Sequence, residues 1–278
     1  MLSLSVVVVL YKKHFESSVA VSSLLSSFDA IKGAGFLPVI YVWNNSPGFS
    51  PCLDRESVVW LEGDNSTLPF IYNSVAELAF GSGSSILMIS DDDTDYSNFD
   101  FTRHLGVVRD FVLDKSKSEV TGCFVPCIQS GGRLVSPGGR ILFKGYLLNQ
   151  VRPGLVSSKK LLAINSGTIL TRSCYERMRP LYNERLNFYG TDTDFFVRYE
   201  DFYKCVYVLD SEINHSLSSD GDESMDRMLF RWRDNIHAMN IIFEKRSFFF
   251  KLAMHAYYFF VKVKLSIRFC DRRFLKIW

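Results

Sequence analysis

The 278-residue sequence contains no Cys-x-x-Cys pair, no internal repeat and no low-complexity tract. Its cysteines stand at 52, 123, 127, 174, 205 and 270, and Cys123-x3-Cys127 has no second Cys or His pair to complete a zinc site. A zinc module is therefore excluded, and reduced structural thiols in a reducing, cytoplasmic compartment are the expectation. Long apolar runs are missing as well. In the C-terminal tail the longest uncharged stretch, residues 252–261, falls far short of the roughly 20 residues that cross a bilayer. Residues 1–10 are apolar but have no basic leader and run into Tyr11-Lys12-Lys13-His14, which suits a buried strand better than a signal peptide. An overall charge excess is lacking too, the formal net charge being +2.

That near-balance hides two unlike regions. Residues 245–278 carry nine Lys or Arg and one acid, a charge of +8, which leaves −6 for residues 1–244. Hydrophobic residues make up 47% and charged ones 22%, so the chain is globular and not disordered. Aromatics reach 15%, and they crowd into the basic tail. There Phe248-Phe249-Phe250, Tyr257-Tyr258-Phe259-Phe260, Phe269, Phe274 and Trp278 interleave with Lys251, Lys262, Lys264, Arg268, Arg272 and Arg273. Such a segment can lie in a membrane interface, aided by anionic lipid. Packing on the rest of the chain and a subunit interface are the alternatives. Nucleic acid is not an expected partner, because the remainder is acidic and no RNA or DNA module is recognisable.

Residues 4–10 form a continuous β-branched and apolar run, as in a strand buried on both faces of a parallel sheet. Residues 15–31 repeat apolar side chains at helical spacing and end near Gly33 and Gly35. Strands are expected again at 37–43, 57–61 and 85–89, with a helix over 68–81. This alternation predicts an α/β fold with a mostly parallel central sheet flanked by helices. Ligands of such sheets bind beyond the carboxyl ends of the strands, where Asn44-Asn45-Ser46-Pro47-Gly48 and the acids after Ile89 fall. Residues 130–161, rich in glycine, read as a partly irregular excursion over that edge. Strands follow at 164–171 and 205–209, helices at 173–181 and 192–203, and the chain from 224 onward is helical.

Ser90-Asp91-Asp92-Asp93-Thr94-Asp95 places four carboxylates within five residues at the end of a buried strand. Like charges crowded in a folded site raise one another's pKa values. A divalent cation held by carboxylate oxygens and substrate phosphates removes that cost. A solvated acidic turn or a helix cap is the plain alternative.

The order of these segments resembles the family 2 glycosyltransferases of the GT-A fold. Ile86-Leu87-Met88-Ile89-Ser90-Asp91-Asp92-Asp93 is similar to the family's apolar strand and Asp-x-Asp motif, and Ser5-Val6-Val7-Val8-Val9-Leu10-Tyr11 to its opening strand. Val42-Trp43-Asn44-Asn45-Ser46 resembles the loop after the second strand. Asp64-Asn65 and Tyr72-Asn73 resemble the Asn-x-Gly and Arg-Asn positions, and Asn165-Ser166-Gly167-Thr168 a later Ser-Gly stretch. The likeness covers roughly residues 4–237 and is closest to the rhamnosyltransferase-like subgroup that builds bacterial surface polysaccharides. Tyr72 stands where Arg is usual, Leu68-Pro69 replaces a glycine, and Asn44 stands where an Asp often contacts the base.

The resemblance implies an inverting, metal-dependent transferase that takes a sugar, rhamnose in that subgroup, from a nucleotide-diphosphate donor. The acceptor it implies is a glycan or lipid-linked saccharide of O-antigen or capsule synthesis, met at the cytoplasmic face of the membrane. Asp91 and Asp93 are then ligands of Mn²⁺ or Mg²⁺, and Tyr11, Asn45, Asp64 and Asn73 line the nucleotide pocket. Asp92 contacts the donor ribose or caps the turn, while Asn165 and Gly167 lie on the acceptor side. The division implied is a catalytic domain over 1–223, with a nucleotide-binding half of about 1–100 and an acceptor half of about 101–223, and a helical basic segment over 224–278.

Tyr189-Gly190-Thr191-Asp192-Thr193-Asp194-Phe195 supplies two further carboxylates before an expected helix. Glycosyl transfer needs a base for the acceptor hydroxyl's proton, and a carboxylate in hydrogen-bond reach serves. By the resemblance Asp192 aligns with that base, Thr191 replaces the Glu before it, and Asp194 aligns with a second acid. Helix capping competes as a reading of Asp192, and capping or metal support as readings of Asp194. His215 matches a histidine that completes the family's metal or diphosphate site, against the reading of a satisfied polar residue. Two rivals remain. A sugar-phosphate nucleotidyltransferase would carry a glycine-rich loop where Tyr11-Lys12-Lys13-His14-Phe15-Glu16 stands, and a non-catalytic scaffold would have no use for intact acids.

Overall fold

The computed structural model describes residues 1–49, 56–214 and 224–277. Val6, Val7 and Val8 are all buried, because their strand, β1 (Leu2–Leu10), is covered on both sides. Side chains alternate across a strand, so Val7 joins one core while Leu4, Val6, Val8 and Leu10 join the other. The chain continues through α1 (Val19–Ser26), α2 (Phe28–Gly33), β2 (Phe36–Asn44), β3 (Val58–Glu62), α3 (Leu68–Gly81) and β4 (Ile86–Asp91). Next come α4 (Phe101–Leu113), α5 (Lys115–Val120), β5 (Cys123–Ser130), β6 (Arg133–Ser136), β7 (Gly138–Ile141), β8 (Lys144–Leu147) and β9 (Gly154–Ser157). The remainder is β10 (Leu161–Leu162), β11 (Ile169–Thr171), α6 (Arg172–Met178), α7 (Thr191–Phe202), β12 (Cys205–Asn214), α8 (Met225–Ile242) and α9 (Phe248–Phe269).

Nine strands form the main sheet in the order β3-β2-β1-β4-β11-β5-β12-β9, with β6 paired to β5. β3, β2, β1 and β4 run parallel, β11 lies antiparallel between β4 and β5, and β12 is parallel to β5. Ile71 and Val75 of α3 and Phe195 and Tyr199 of α7 pack on one face. Val21, Leu24, Ile31, Leu105 and Val108 of α1, α2 and α4 pack on the other. This is the expected α/β architecture, a mostly parallel sheet between helices.

Three segments differ from the sequence reading, each for a local reason. The helix expected over 15–31 is split, because the Ser23 and Ser27 hydroxyls donate back to the carbonyls of Val19 and Ser23 and compete with the helical ladder. Residues 130–161 are more ordered than their glycines suggested. β7, β8 and β10 build a second sheet in the order β10-β7-β8, tied to α7 by the Arg140–Glu200 ion pair and by Lys160 N donating to Glu200 at 2.7 Å. Its glycines are required: a Cβ on Gly138 would lie 2.7 Å from the Tyr146 carbonyl oxygen, and one on Gly139 2.5 Å from the Tyr146 ring. The strand expected over 164–171 shrinks to β11, because residues 165–168 form a loop against β4.

The basic segment shares a core with the rest of the chain. Val197 of α7 packs with Leu229, Ile236 and Met239, and Phe143, between β7 and β8, meets the rings of Phe250, Tyr257 and Tyr258. The buried Asp234 of α8 accepts from Asn187 Nδ2, Phe188 N and Tyr189 N at 2.8, 3.1 and 2.8 Å, so α8 shapes the turn that leads into α7. Among the described residues no helix is long and apolar enough to cross a membrane.

Candidate active site

Parallel register decides where polar groups collect. Val9 pairs with Asp91, Leu10 with Asn44 and Asn44 with Glu62, so β1 to β4 end along one edge. Tyr11, Asn45, Asp64 and the acids of residues 91–95 follow directly on those ends. Asn45 bonds Ser66 with both ends of its amide, donating to Ser66 O at 2.9 Å and accepting from Ser66 N at 2.7 Å. Asn73 donates to Tyr182 O and Glu184 Oε1, both at 2.9 Å, and accepts from Tyr182 N at 3.0 Å. These two amides hold loops in place. Tyr11 and Asp64 are exposed at the same edge.

Asp91 is the last residue of β4. Gly167, at φ +75°, packs so closely that a Cβ would lie 2.8 Å from Pro126 Cγ. Its N–H donates to Ile89 O at 2.8 Å, and Ile89 N donates to Thr168 O at 2.9 Å. That clamp brings the Ser166 hydroxyl to the Asp91 carboxylate, to which it donates. Asp92 pairs with Lys13, and its carbonyl accepts from Ser18 Oγ at 2.9 Å and Ala20 N at 3.2 Å, which docks the turn on α1. Asp95 accepts from the Ser97 hydroxyl and N–H, which hold its carboxyl below the usual range. Asp93 is exposed.

The second acidic turn opens α7, about a hundred residues further along the chain. Gly190, at φ +80°, caps α7, and a Cβ there would lie 2.7 Å from Ala238. Asp192 is therefore inside the first turn, not at the cap, and accepts from Thr193 N at 2.7 Å. Burial pushes its carboxyl above the ordinary value, and the charge of Asp91 adds to the rise. Tyr72, buried 5.0 Å from the Tyr182 ring centre, has its phenol raised by burial and then by Asp91, Tyr182 and Asp192. The two acidic turns thus converge on one site. Asn165 joins them, accepting from the Tyr182 hydroxyl at 3.1 Å and donating to Thr191 Oγ1 at 3.4 Å. Asp194 is different: it is buried against Arg198 Nε at 2.8 Å, and Arg198 also donates to the Pro180 and Leu181 carbonyls.

Compared by sequence, the chain matches no protein-family model and no curated protein. Compared by structure, it is similar to GalNAc-T7, solved with UDP, GalNAc and Mn²⁺, at a TM-score of 0.58 and 13% identity over 90% of this chain and 49% of that one. The chain has a GT-A fold. It spans about half the length of that relative. A197 from STIV is also similar, at a TM-score of 0.46 and 14% identity over 77% of this chain and 83% of that one, a likeness too partial to carry an argument.

On this GT-A sheet, Asp192 and Thr193 line a cavity of about 210 Å³ together with Gly139, Tyr146, Leu162 and Ile164. Tyr146 lies flush on Gly139 and forms a wall of that cavity. Sequence reasoning named neither Tyr146 nor the bond from Ser166 to Asp91; the Gly138-Gly139 pair and Gly167 were the available signals. His215 lies outside the described residues. The carboxylates of Asp91 and Asp93 suit the hard-oxygen chemistry of Mg²⁺ or Mn²⁺. Among the described residues no three ligating side chains stand together. An ion there would complete its shell from donor phosphates, water or residues beyond those described.

Proposed function

We propose that the chain is an inverting, metal-dependent glycosyltransferase that moves a sugar from a nucleotide-diphosphate donor to a hydroxyl of a glycan or lipid-linked saccharide. The observation that carries this reading is the convergence of Asp91, at the end of β4, with Asp192, whose carboxyl is raised and opens on a cavity. The UDP, GalNAc and Mn²⁺ of GalNAc-T7 support a nucleotide-sugar donor and a divalent metal on the same fold. The motif order supports the finer reading: family 2, a rhamnosyl donor, and bacterial O-antigen or capsule synthesis at the cytoplasmic face of the membrane.

Asp91 and Asp93 would hold Mn²⁺ or Mg²⁺, which when bound neutralises the charge on the leaving diphosphate. His215 is proposed to support that site. Ser166 fixes the rotamer of Asp91. Tyr11 and Asp64 meet the nucleoside, while Asn45 and Asn73 hold the loops around it. Asp192 takes the acceptor hydroxyl's proton as that oxygen bonds to the anomeric carbon and the bond to the diphosphate oxygen breaks. One displacement of this kind inverts the anomeric centre. A raised pKa strengthens Asp192 as a base, moving it toward the working pH.

The test is a panel of nucleotide sugars with and without Mn²⁺, scored by release of the nucleotide diphosphate. Asp93→Asn is expected to lower turnover about a thousandfold with the fold intact. Retained turnover in that variant removes the metal assignment. Release of pyrophosphate would point to a nucleotidyltransferase, and failure to bind any nucleotide diphosphate with metal would point to a scaffold.

A further inference from the structure

α9 buries one side and leaves the opposite side bare. Met254, Tyr258 and Leu265 pack into the core shared with α8. Phe248, Phe249, Leu252, Phe259, Phe260 and Ile267 are between 54% and 79% exposed. At about 100° per residue these six fall on one side of the helix, opposite the buried three. Lys264 and Arg268 run along one border of that side, and Lys251 and His255 along the other. Single exposed apolar residues are ordinary on a protein surface, but a contiguous stripe of four phenylalanines, a leucine and an isoleucine marks a contact.

We propose that this face of α9 docks on an anionic membrane surface, its phenylalanines in the interface and its bordering cations among the headgroup phosphates. Charge selects the lipid over a second copy of the chain. Residues 245–278 carry +8, so pairing the same face about a two-fold axis would bring like charges together, whereas anionic headgroups complement them. The helix lies on the surface and does not cross it. Phe143 links α9 to the β7–β8 hairpin beside the Asp192 cavity, so docking would hold that cavity near the membrane. This last step, a lipid-linked acceptor, rests on the transferase reading; the docking itself does not.

Co-flotation of the full chain with vesicles of phosphatidylglycerol and phosphatidylcholine, against vesicles of phosphatidylcholine alone, tests the proposal. The chain is expected on the first and not on the second. The double variant Phe249→Ser/Phe260→Ser should partition about tenfold less. Lys264→Gln/Arg268→Gln should partition roughly thirtyfold less, the combined loss of two basic residues near an anionic surface. All four side chains lie off the buried face of α9, and a thermal melt confirms the fold. Wild-type partition in either variant overturns the proposal. So does equal binding to neutral vesicles, or a chain that ignores vesicles but forms a dimer that Phe249→Ser/Phe260→Ser dissociates. Donor hydrolysis without vesicles should match wild type in both variants. A wild-type chain that hydrolyses donor but stays off the anionic vesicles defeats the docking alone, and a wild-type chain that docks but turns over no donor defeats the transferase reading alone.

Discussion

The turn after β4 and the first turn of α7 are both rich in acids and both reach the same edge of the sheet, yet their carboxylates divide into two kinds. Asp92 pairs with Lys13, Asp95 takes two bonds from Ser97, and Asp194 is paired with Arg198. Each answers a local partner and holds a piece of chain in place. Asp192 has a local bond too, from Thr193 N, yet burial and the charge of Asp91 across the site oppose its ionisation, and Tyr72 registers the charge of Asp91 as well. The comparison separates function from acid content: a carboxylate whose cation or N–H partners prevail is structural. One whose ionisation is opposed on balance, as at Asp192 in spite of its bond from Thr193 N, is available to a ligand or a proton.

The strongest way to break that division is Asp192→Asn. Turnover should fall about a thousandfold if this carboxylate is the base. The sign of the stability change is opposite. The folded-state pKa of Asp192 lies above its unfolded value, so its destabilisation is absent below the ordinary Asp value of 3.8, grows as pH rises through the folded value and is complete above it. Asparagine keeps an oxygen for Thr193 N and removes the charge. The melting temperature at neutral pH should therefore rise, and at strongly acid pH it should not change. The acid limb of the wild-type kcat/KM profile should lie above 3.8 for the same reason. A variant that loses both activity and stability would make Asp192 a structural residue.

Gly167→Ala comes next. A side chain there meets both a positive φ and Pro126, so we expect a loss of about 3 kcal/mol in urea unfolding. Ser166 would move with the loop, and turnover of the folded fraction should fall about tenfold. Asp194→Asn sharpens the contrast with Asp192: removing the partner of Arg198 should lower stability by about 2 kcal/mol, while turnover per folded molecule stays within a few-fold. Equal losses of activity in Asp192→Asn and Asp194→Asn would erase the distinction.

The donor edge was legible because its signals are local. The valine run of β1 is buried on both faces as its continuity implies, and α3 occupies residues 68–81 as its spacing implied, with Pro69 in its first turn. The acids at the end of β4 stand out by density alone. The acceptor side was less legible, because its order is tertiary. β7, β8 and β10 are two to four residues long, too short for any periodicity to show. Their anchor, Arg140 to Glu200, joins residues 60 apart in sequence. Asn73 bonds Tyr182 across 109 residues, which no spacing rule anticipates. In α9 apolar residues occur on both faces, so composition announced an amphipathic contact without saying which face the fold itself would bury.

The smallest effect is expected from Asp92→Asn, and it bears on the same division from the weak side. The side chains of Lys13 and Asp92 are 32% and 26% exposed, and a pair so open to solvent is worth at most about 1 kcal/mol and is screened by salt. The bonds that dock this turn on α1 come from the Asp92 carbonyl, which the substitution keeps. Asp92→Asn should therefore lower unfolding free energy by at most about 1 kcal/mol at low ionic strength, with no difference from wild type in concentrated salt. Turnover should stay within a few-fold, since the neighbouring Asp93 is the proposed ligand. A loss as deep as that of Asp93→Asn, with the melt unchanged, would move Asp92 to the ligand side and show that its pairing with Lys13 yields when the donor binds.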